Sequence, residues 1–568
     1  MENTIKQKYE KWLKADLPQD LKEQLLSLTE EEINDCFYCD LEFGTAGIRG
    51  VLGPGSNRLN IYVIRKVTKA FAEFLLNSDS KTKEDGVVIS HDNRLYSREF
   101  TLEAAKMLSS YGIKVYIFDD LRPTPELSFA VRKMKAAGGI MITASHNPKE
   151  YNGFKVYDRE GCQLTPKKIK PYIDIIKTYG SEIDTVFGDS EIKGEIITLG
   201  KEVDIDFIEH VESILLNPEL DKNNFKIVFT PQHGTSLELA AMLFERLGYQ
   251  VIYVKEQCNH DPLFGGTPSP NPEDPRAYDL AIDYAKRENA DIIMVTDPDA
   301  DRCGIAFKNA QGEYQLFTGN QTGALLIDYV LSQRKAKGLL HENGVLFDSV
   351  VTSSFGQKVA RFYGISVESV LTGFKFIGDK IKHYEDTKEK VFEFGYEESY
   401  GYVLAPFVRD KDSLQALLMI AEMTNFYLLQ GKTLDVVYDE LQQLHGYHFD
   451  KLFSIYFEGQ NGKVKMDSIM ESLRRQPLSE VDGVKVDFIE DYQTSKVVNP
   501  NNELIREIDL PKSDMIKYYF IDGSTIAIRP SGTEPKCKFY YGAVGKSQNE
   551  VAEKPDKMHS AILNILGL

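Results

Sequence analysis

Short apolar runs alternate with amphipathic stretches along most of the chain, and the alternation itself recurs. GVVISHDNR (Gly86 to Arg94), KIVFTPQHGTS (Lys226 to Ser236) and GVLFDSVVTSS (Gly344 to Ser354) each begin with a β-branched run and pass into polar turn residues. Such runs predict buried strands. A helix-like segment follows each one, ending in a glycine–tyrosine pair and a second strand: YGIKVYIF from Tyr111, LGYQVIYV from Leu247 and YGISVESV from Tyr363. Glycine there suits a helix C-cap. A third strand, led by a helical segment, completes each copy: AAGGIMITASHNP from Ala136, ADIIMVTDPDADR from Ala290 and EKVFEFGYEESYG from Glu389. Strand, helix, strand, helix, strand predicts parallel pairing in an α/β sheet. Ligands of such sheets bind beyond the carboxyl ends of the strands. The three loops after the last strands would therefore face one cleft if the copies pack side by side.

The flanks differ from the repeat. Residues 1–40 read as two amphipathic helices with a break at Leu17 to Asp20, and DFIEHVESILL (Asp206 to Leu216) reads as a connecting helix. Beyond about residue 446 the alternation weakens, and KLFSIYF, GVKVDFI and STIAIRP predict strands of a small final domain. The expected fold is three repeated α/β domains with mixed, largely parallel sheets plus a smaller C-terminal α+β domain, around a central active-site cleft. The expected boundaries are 1–205, 206–318, 319–445 and 446–568. A length of 568 residues suits about four domains at roughly 150 residues each.

Charge narrows the function. With 86 acidic against 67 basic residues the net charge is −19, which argues against a general nucleic-acid or membrane-surface binder. An anionic ligand would need positive charge concentrated at its site. No run approaches the roughly 18 apolar residues of a membrane span, and the N-terminal stretch has no signal-peptide core. The chain reads as soluble and cytoplasmic. Of six cysteines only Cys36 and Cys39 form a C-x-x-C, with no second pair or nearby histidine to complete a zinc site. They read as structural or incidental thiols.

The loops hold reactive residue types. Thr143-Ala144-Ser145-His146-Asn147-Pro148 presents a serine in a turn enforced by Asn-Pro. Ser145 is either a nucleophile or phosphoryl carrier, or the capping hydroxyl of its own turn. Asp297, Asp299 and Asp301 alternate in the second loop, where carboxylates at i, i+2 and i+4 can converge on one hard cation. An EF-hand is excluded, because its glycine position is Arg302 and its last glutamate position is Lys308. Three carboxylates leave such a cation open to a phosphate, which suits Mg²⁺; the plain alternative is a solvated acidic turn. Gly395 to Gly401 (GYEESYG) offers acceptors and a hydroxyl for sugar hydroxyls, or a helix N-cap. Arg529 to Lys536 (RPSGTEPK) has the hydroxyls, backbone donors and arginine fork of a phosphate cradle, without the order of a Walker A loop. Arg49 and Lys155 stand near strand ends as further basic candidates, or as surface charges.

Together, TASHNP, DPDADR, GYEESYG and RPSGTEPK, in this order and spacing, resemble the α-D-phosphohexomutase superfamily from about Phe43 onward. FGTAGIRG, the DPDADR wording and the length are similar to its bacterial α-phosphoglucomutase branch. The resemblance implies a phosphoryl shift between C1 and C6 of a hexose phosphate, through an active-site phosphoserine and glucose 1,6-bisphosphate. It makes Ser145 the phosphoserine, and Asp297, Asp299, Asp301 and the Ser145 phosphate the ligands of Mg²⁺. Arg49, His146, Lys155 and Arg302 fall near the transferring group, with Lys155 a candidate general acid or base. Thr372, Gly373, Lys375, Glu397 and Ser399 would contact sugar, and Arg529, Ser531, Gly532 and Thr533 would grip the idle phosphate.

The expected partners are small sugar phosphates, with neither nucleic acid nor membrane; the sequence leaves the oligomeric state, monomer or dimer, open. Mannose or pentose phosphates are alternative substrates. A phosphoserine-type phosphatase and a non-catalytic sugar-phosphate sensor are the competing functions, though a phosphatase needs no second phosphate clamp and a sensor needs no serine or aspartates.

Overall fold

The β-branched runs form the strands expected of them. The computed structural model describes residues 3–44, 47–457, 462–531 and 536–568. The chain divides into two compact units: Met1–Thr322 with Asn343–Val345 and Gly373–Gly431, and Gly323–Glu342 with Leu346–Thr372 and Lys432–Leu568.

The first unit contains two sheets built on one plan. The first runs in the order Ile48–Val51, Tyr151–Asp158, Gly138–Ile142, Val87–His91, Val115–Phe118, Ile196–Leu199. The second runs Tyr314–Phe317, Cys303–Lys308, Ile292–Thr296, Lys226–Thr230, Gln250–Tyr253. In each copy the first strand is central and pairs in parallel with the third on one side and the second on the other. The strand after each reactive loop then returns antiparallel to the third strand. The sheets are therefore mixed, as expected, with a parallel centre and antiparallel strands at one edge. A short loop can close only an antiparallel pair, whereas parallel strands require a crossover.

Val87–His91, Gly138–Ile142 and Ile292–Thr296 are buried at every residue, as strands covered on both faces must be. Apolar residues of Ile61–Ser78 and Ser97–Ser110, among them Val67, Phe71, Phe100 and Leu108, join the first sheet's Ile89 and Ile140 in one core. The N-terminal stretch forms three helices, Asn3–Lys14, Gln19–Ser27 and Glu30–Phe37, where two were expected. The extra one starts at a capping box: Glu32 N–H donates to Thr29 Oγ1 while the Glu32 carboxylate accepts from Thr29 N–H. That pair satisfies backbone donors a helix start leaves open. Trp12, Leu25 and Phe37 pack with Tyr62, and Trp12 Nε1 donates to Glu182 Oε1 at 2.7 Å.

The third copy has its strands at Gly344–Ser349, Ser366–Val370 and Val391–Glu397, with helices Ser354–Phe362 and Lys375–Thr387. Its residues fall partly in each unit. In the second unit an eight-stranded sheet includes Tyr447–Tyr456, Val484–Asp491 and Thr525–Pro530, all in antiparallel pairs. Met470, Ile528, Phe539 and Ile562 belong to its core, which adds helices Gly462–Arg475 and Gln548–Leu566. This is the expected α+β arrangement, and the whole is a four-domain α/β architecture. All six cysteines are free. Among the described residues no helix is long and apolar enough to cross a membrane.

Candidate active site

Ser145 lies at the carboxyl end of Gly138–Ile142, in the loop before the antiparallel return Tyr151–Asp158. Its φ is 52°, a left-handed conformation that costs a non-glycine residue on the order of 1–3 kcal/mol and persists only where the surroundings over-determine it. Its N–H donates to Thr143 Oγ1 at 2.8 Å. Gly153 on the return strand permits this packing, since a Cβ there would stand 2.3 Å from the Thr143 carbonyl. Ser145 is 1% exposed. Its hydroxyl donates to Asp297 Oδ2 at 2.8 Å and lies 3.0 Å from His146 Nδ1. The serine is thus more than a turn cap: it points at the second loop.

That second loop follows Ile292–Thr296 and turns through Ala300, φ 54°. Asp297 Oδ1 accepts the N–H groups of Asp301 and Arg302 at 3.1 and 3.0 Å, which curls the chain so that alternate carboxylates converge. The loop is supported from the turn after the first strand of the same copy. Thr235 N–H and Oγ1 both donate to the Pro298 carbonyl, at 2.9 and 3.1 Å. Asp297, Asp299 and Asp301 each offer an oxygen within 4.8 Å of the others. All three are buried, and Asp299 Oδ1 and Asp301 Oδ1 have no hydrogen-bond partner. Buried carboxylate oxygens without donors fit a divalent cation and exclude the solvated-turn alternative. Burial, then repulsion from Asp299 and Asp301, raises the Asp297 carboxyl well above the usual carboxylate range. Asp299 is held low: burial opposes, but Lys155 and Thr124 outweigh it.

The other expected residues of this centre gather around the aspartates. Lys155 Nζ donates to Asp299 Oδ2 at 2.8 Å and stands 3.7 Å from Asp301 Oδ2. Arg49 Nη1 donates to Asn147 Oδ1 at 2.8 Å, while its buried Nε has no partner. Arg302 donates to Glu273 and lies 3.8 Å from Asp301 Oδ1. Burial, with Arg302 and Arg49 adding positive charge, holds the His146 imidazole neutral.

Glu397 ends its strand, and its Oε1 accepts from Gly373 N–H at 2.6 Å. Burial raises its carboxyl, with Lys411 and that N–H pulling the other way. Burial brings the Lys375 ammonium down to about 8, opposed by Cys162 and Glu397. Ser399 is half-buried in the turn between Val391–Glu397 and the antiparallel Gly401–Val403. The helix N-cap reading of GYEESYG is overturned, because a strand follows it.

Thr372 belongs to the second unit. There, Arg529 is half-buried near the end of Thr525–Pro530, opposite Lys538. Ser531 N–H donates to the Lys536 carbonyl at 2.8 Å. Gly532 and Thr533 lie outside the described residues.

Four residues escaped the sequence reading. Lys411 Nζ is 3.0 Å from Asp301 Oδ2, and Asp301, Asp410 and Glu397 keep it charged despite burial. Thr124 Oγ1 donates to Asp299 Oδ2 at 2.9 Å. Glu273 pairs with Arg302, and Arg94 grips the Ser145 loop from behind. Lys411 had one available signal, a basic residue between two aspartates just after the third loop.

A buried serine aimed at three carboxylates among lysines and arginines is an arrangement suited to positioning a transferring phosphoryl group and stabilising its charge. Family models for phosphoglucomutase/phosphomannomutase α/β/α domains I, II and III match residues 40–182, 205–312 and 318–444, and the model for the C-terminal domain matches 463–558. The chain belongs to the phosphoglucomutase/phosphomannomutase family. The phosphoglucomutase of Staphylococcus aureus (strain MRSA252) is 39% identical over 551 residues, 97% of this chain and 98% of that one. Its activity is accordingly of the phosphoglucomutase type. Two solved structures share the fold at low identity. The phosphoglucomutase parafusin of Paramecium, in an open form, aligns with TM-score 0.66 and 19% identity, over 93% of this chain and 96% of its own. The N-acetylphosphoglucosamine mutase of Aspergillus fumigatus, in complex with GlcNAc-6P and magnesium, aligns with TM-score 0.51 and 12% identity, over 99% of each chain.

Proposed function

We propose that this enzyme interconverts glucose 1-phosphate and glucose 6-phosphate through a phosphorylated Ser145 and a glucose 1,6-bisphosphate intermediate. The observation that carries the reading is the Ser145 hydroxyl, 2.8 Å from Asp297 Oδ2 within the aspartate cluster. Asp297, Asp299 and Asp301 would hold Mg²⁺, which supplies charge neutralisation at the transferring phosphoryl group. The Aspergillus mutase crystallised with magnesium is consistent with that choice. Phosphoryl transfer asks the protein mainly for positioning and electrostatic stabilisation.

Lys155, Arg49, Arg302 and Lys411 add positive charge around the reacting oxygens. Lys155 is the candidate general acid or base toward the sugar oxygen, and neutral His146 steadies the serine oxygen. Glu397 and Ser399 accept from sugar hydroxyls, and Thr372, Gly373 and Lys375 serve as further sugar contacts. Arg529, Ser531, Gly532 and Thr533 hold the phosphate that is not reacting. One reacting and one idle site require the bisphosphate to turn over between half-reactions, with water excluded so that the phosphoserine survives. Sugar-phosphate substrates and six free thiols suit a cytoplasmic enzyme.

Mixing the protein with glucose 1-phosphate and a trace of glucose 1,6-bisphosphate should yield glucose 6-phosphate. Free phosphate would indicate a phosphatase, and binding without turnover a sensor. Ser145→Ala should lower turnover by at least about a thousandfold, the scale on which loss of a nucleophile acts, while binding sugar phosphate nearly as well. Intact-protein mass spectrometry should find one phosphate on the wild type and none on the variant. Turnover near wild type in Ser145→Ala would falsify the phosphoserine route.

A further inference from the structure

Arg94 lies in the turn after Val87–His91, and its side chain is wholly shielded from solvent. Its Nη2 donates to the carbonyls of Ser145 and Asn147 at 2.6 and 2.5 Å. Its Nη1 donates to those of Pro148 and Tyr151 at 2.8 and 2.9 Å. One guanidinium thus gathers four carbonyls of a single loop.

The group is itself fixed. Asp92 Oδ2 stands 3.3 Å from its Nε, and Asp92 Oδ1 accepts from Arg94 N–H at 3.0 Å and Ser97 Oγ at 2.8 Å. The Phe264 ring lies against it, 5.1 Å from Cζ to the centroid. Four converging carbonyl dipoles repel one another unless a cation sits among them. The left-handed Ser145 is held at both ends, by Thr143 on its N–H and by Arg94 on its C=O.

We propose that Arg94 is a positioning residue for phosphoryl transfer, holding the backbone of residues 145–151 in the one conformation that aims the Ser145 hydroxyl at the aspartates. It acts through the loop and touches no reacting atom. The proposal rests on the reading of Ser145 as the phosphoryl carrier. Lysine keeps the charge but has a single ammonium, which cannot replace a planar fork reaching four carbonyls.

The test is Arg94→Lys assayed beside Ser145→Ala. A small misplacement of reacting groups costs about a hundredfold in rate. The kcat of Arg94→Lys should fall by about that factor, with the KM for glucose 1-phosphate within about threefold of wild type. The single-turnover rate of Ser145 phosphorylation by glucose 1,6-bisphosphate should fall by the same factor. Phe71→Leu, in the core of the same domain, measures what lost stability alone does and should leave kcat unchanged. If Arg94→Lys does not fold, Arg94→Gln, which keeps a planar donor for fewer carbonyls, should show the same split. Wild-type kcat in a folded Arg94 variant, or a loss shared by Phe71→Leu at equal stability, overturns the proposal. Should Ser145→Ala keep turning over, the phosphoserine reading is what fails; an inactive Ser145→Ala beside a fully active Arg94→Lys sinks the role of Arg94 alone.

Discussion

The loop after Gly138–Ile142 and the loop after Ile292–Thr296 stand at the same step of two copies of one unit, and their electrostatics are opposite. Both turn through a left-handed non-glycine residue, Ser145 at φ 52° and Ala300 at φ 54°. Both lead into an antiparallel return strand. Both are supported by the turn after the first strand of their own copy. In the first, Arg94 supplies a cation from behind and gathers the loop's carbonyls. In the second, Thr235 supplies neutral donors to the Pro298 carbonyl. The charges there are the carboxylates in front, faced by Lys155 and Lys411. One scaffold thus presents a hydroxyl on a loop whose backbone is held by a buried cation and, opposite it, a cluster of anions. Duplicated geometry fixes where a loop is held, and the residue types at the support decide which charge it can carry.

Away from the serine loop, breaking the second loop at its charge should have the largest effect. Asp299→Asn removes a ligand charge and the partner of Lys155 and Thr124. Titration with Mg²⁺ should show affinity weakened by at least about tenfold, as even an outer partner of a metal site is worth 10- to 100-fold. Turnover should fall with it and recover in part at high Mg²⁺. Activity persisting in excess chelator would mean that this loop holds no metal.

A middle-sized effect extends the comparison to the third copy. Lys375, brought down to about 8 by burial, loses its charge as pH rises through that value. The KM for glucose 1-phosphate should therefore climb above about pH 8, and Lys375→Arg should flatten the profile. Stability should move the other way. A lysine whose folded pKa lies below its unfolded one binds fewer protons when folded, so its contribution improves between about 8 and the ordinary 10.5. A flat KM from pH 7 to 9 in the wild type would remove Lys375 from the substrate site.

The smallest effect sharpens the contrast between the two supports. Thr235→Val deletes the hydroxyl donor to Pro298 but leaves the N–H in place. Loss of one buried hydrogen bond costs about 1 kcal/mol, which denaturant unfolding should register. Metal affinity should change only severalfold, and kcat should hold far better than in Arg94→Lys. A loss of kcat as large as that of Arg94→Lys would mean that the second loop depends on its support as strictly as the first.

How much of this could be read from the chain depends on the range of each interaction. The repeated unit was legible because strand and helix periodicities are local, and burial on both faces leaves the continuous apolar runs of Val87–His91 and Ile292–Thr296. Ser145 and the three aspartates stood out because several reactive side chains fall within six residues of one another. The third N-terminal helix was missed although its capping box lies within four residues, from Thr29 to Glu32. The antiparallel return strands were missed because alternation alone does not give pairing direction. Tertiary structure alone decided that Ser145 reaches Asp297, 152 positions away, that Lys411 joins Asp301, and that Arg94 holds the serine loop from 51 positions upstream. Such contacts leave no periodic trace, since any buried lysine or arginine satisfies the local pattern equally well. Only the folded sheet order brings these side chains within the few ångströms at which hydrogen bonds and ion pairs act.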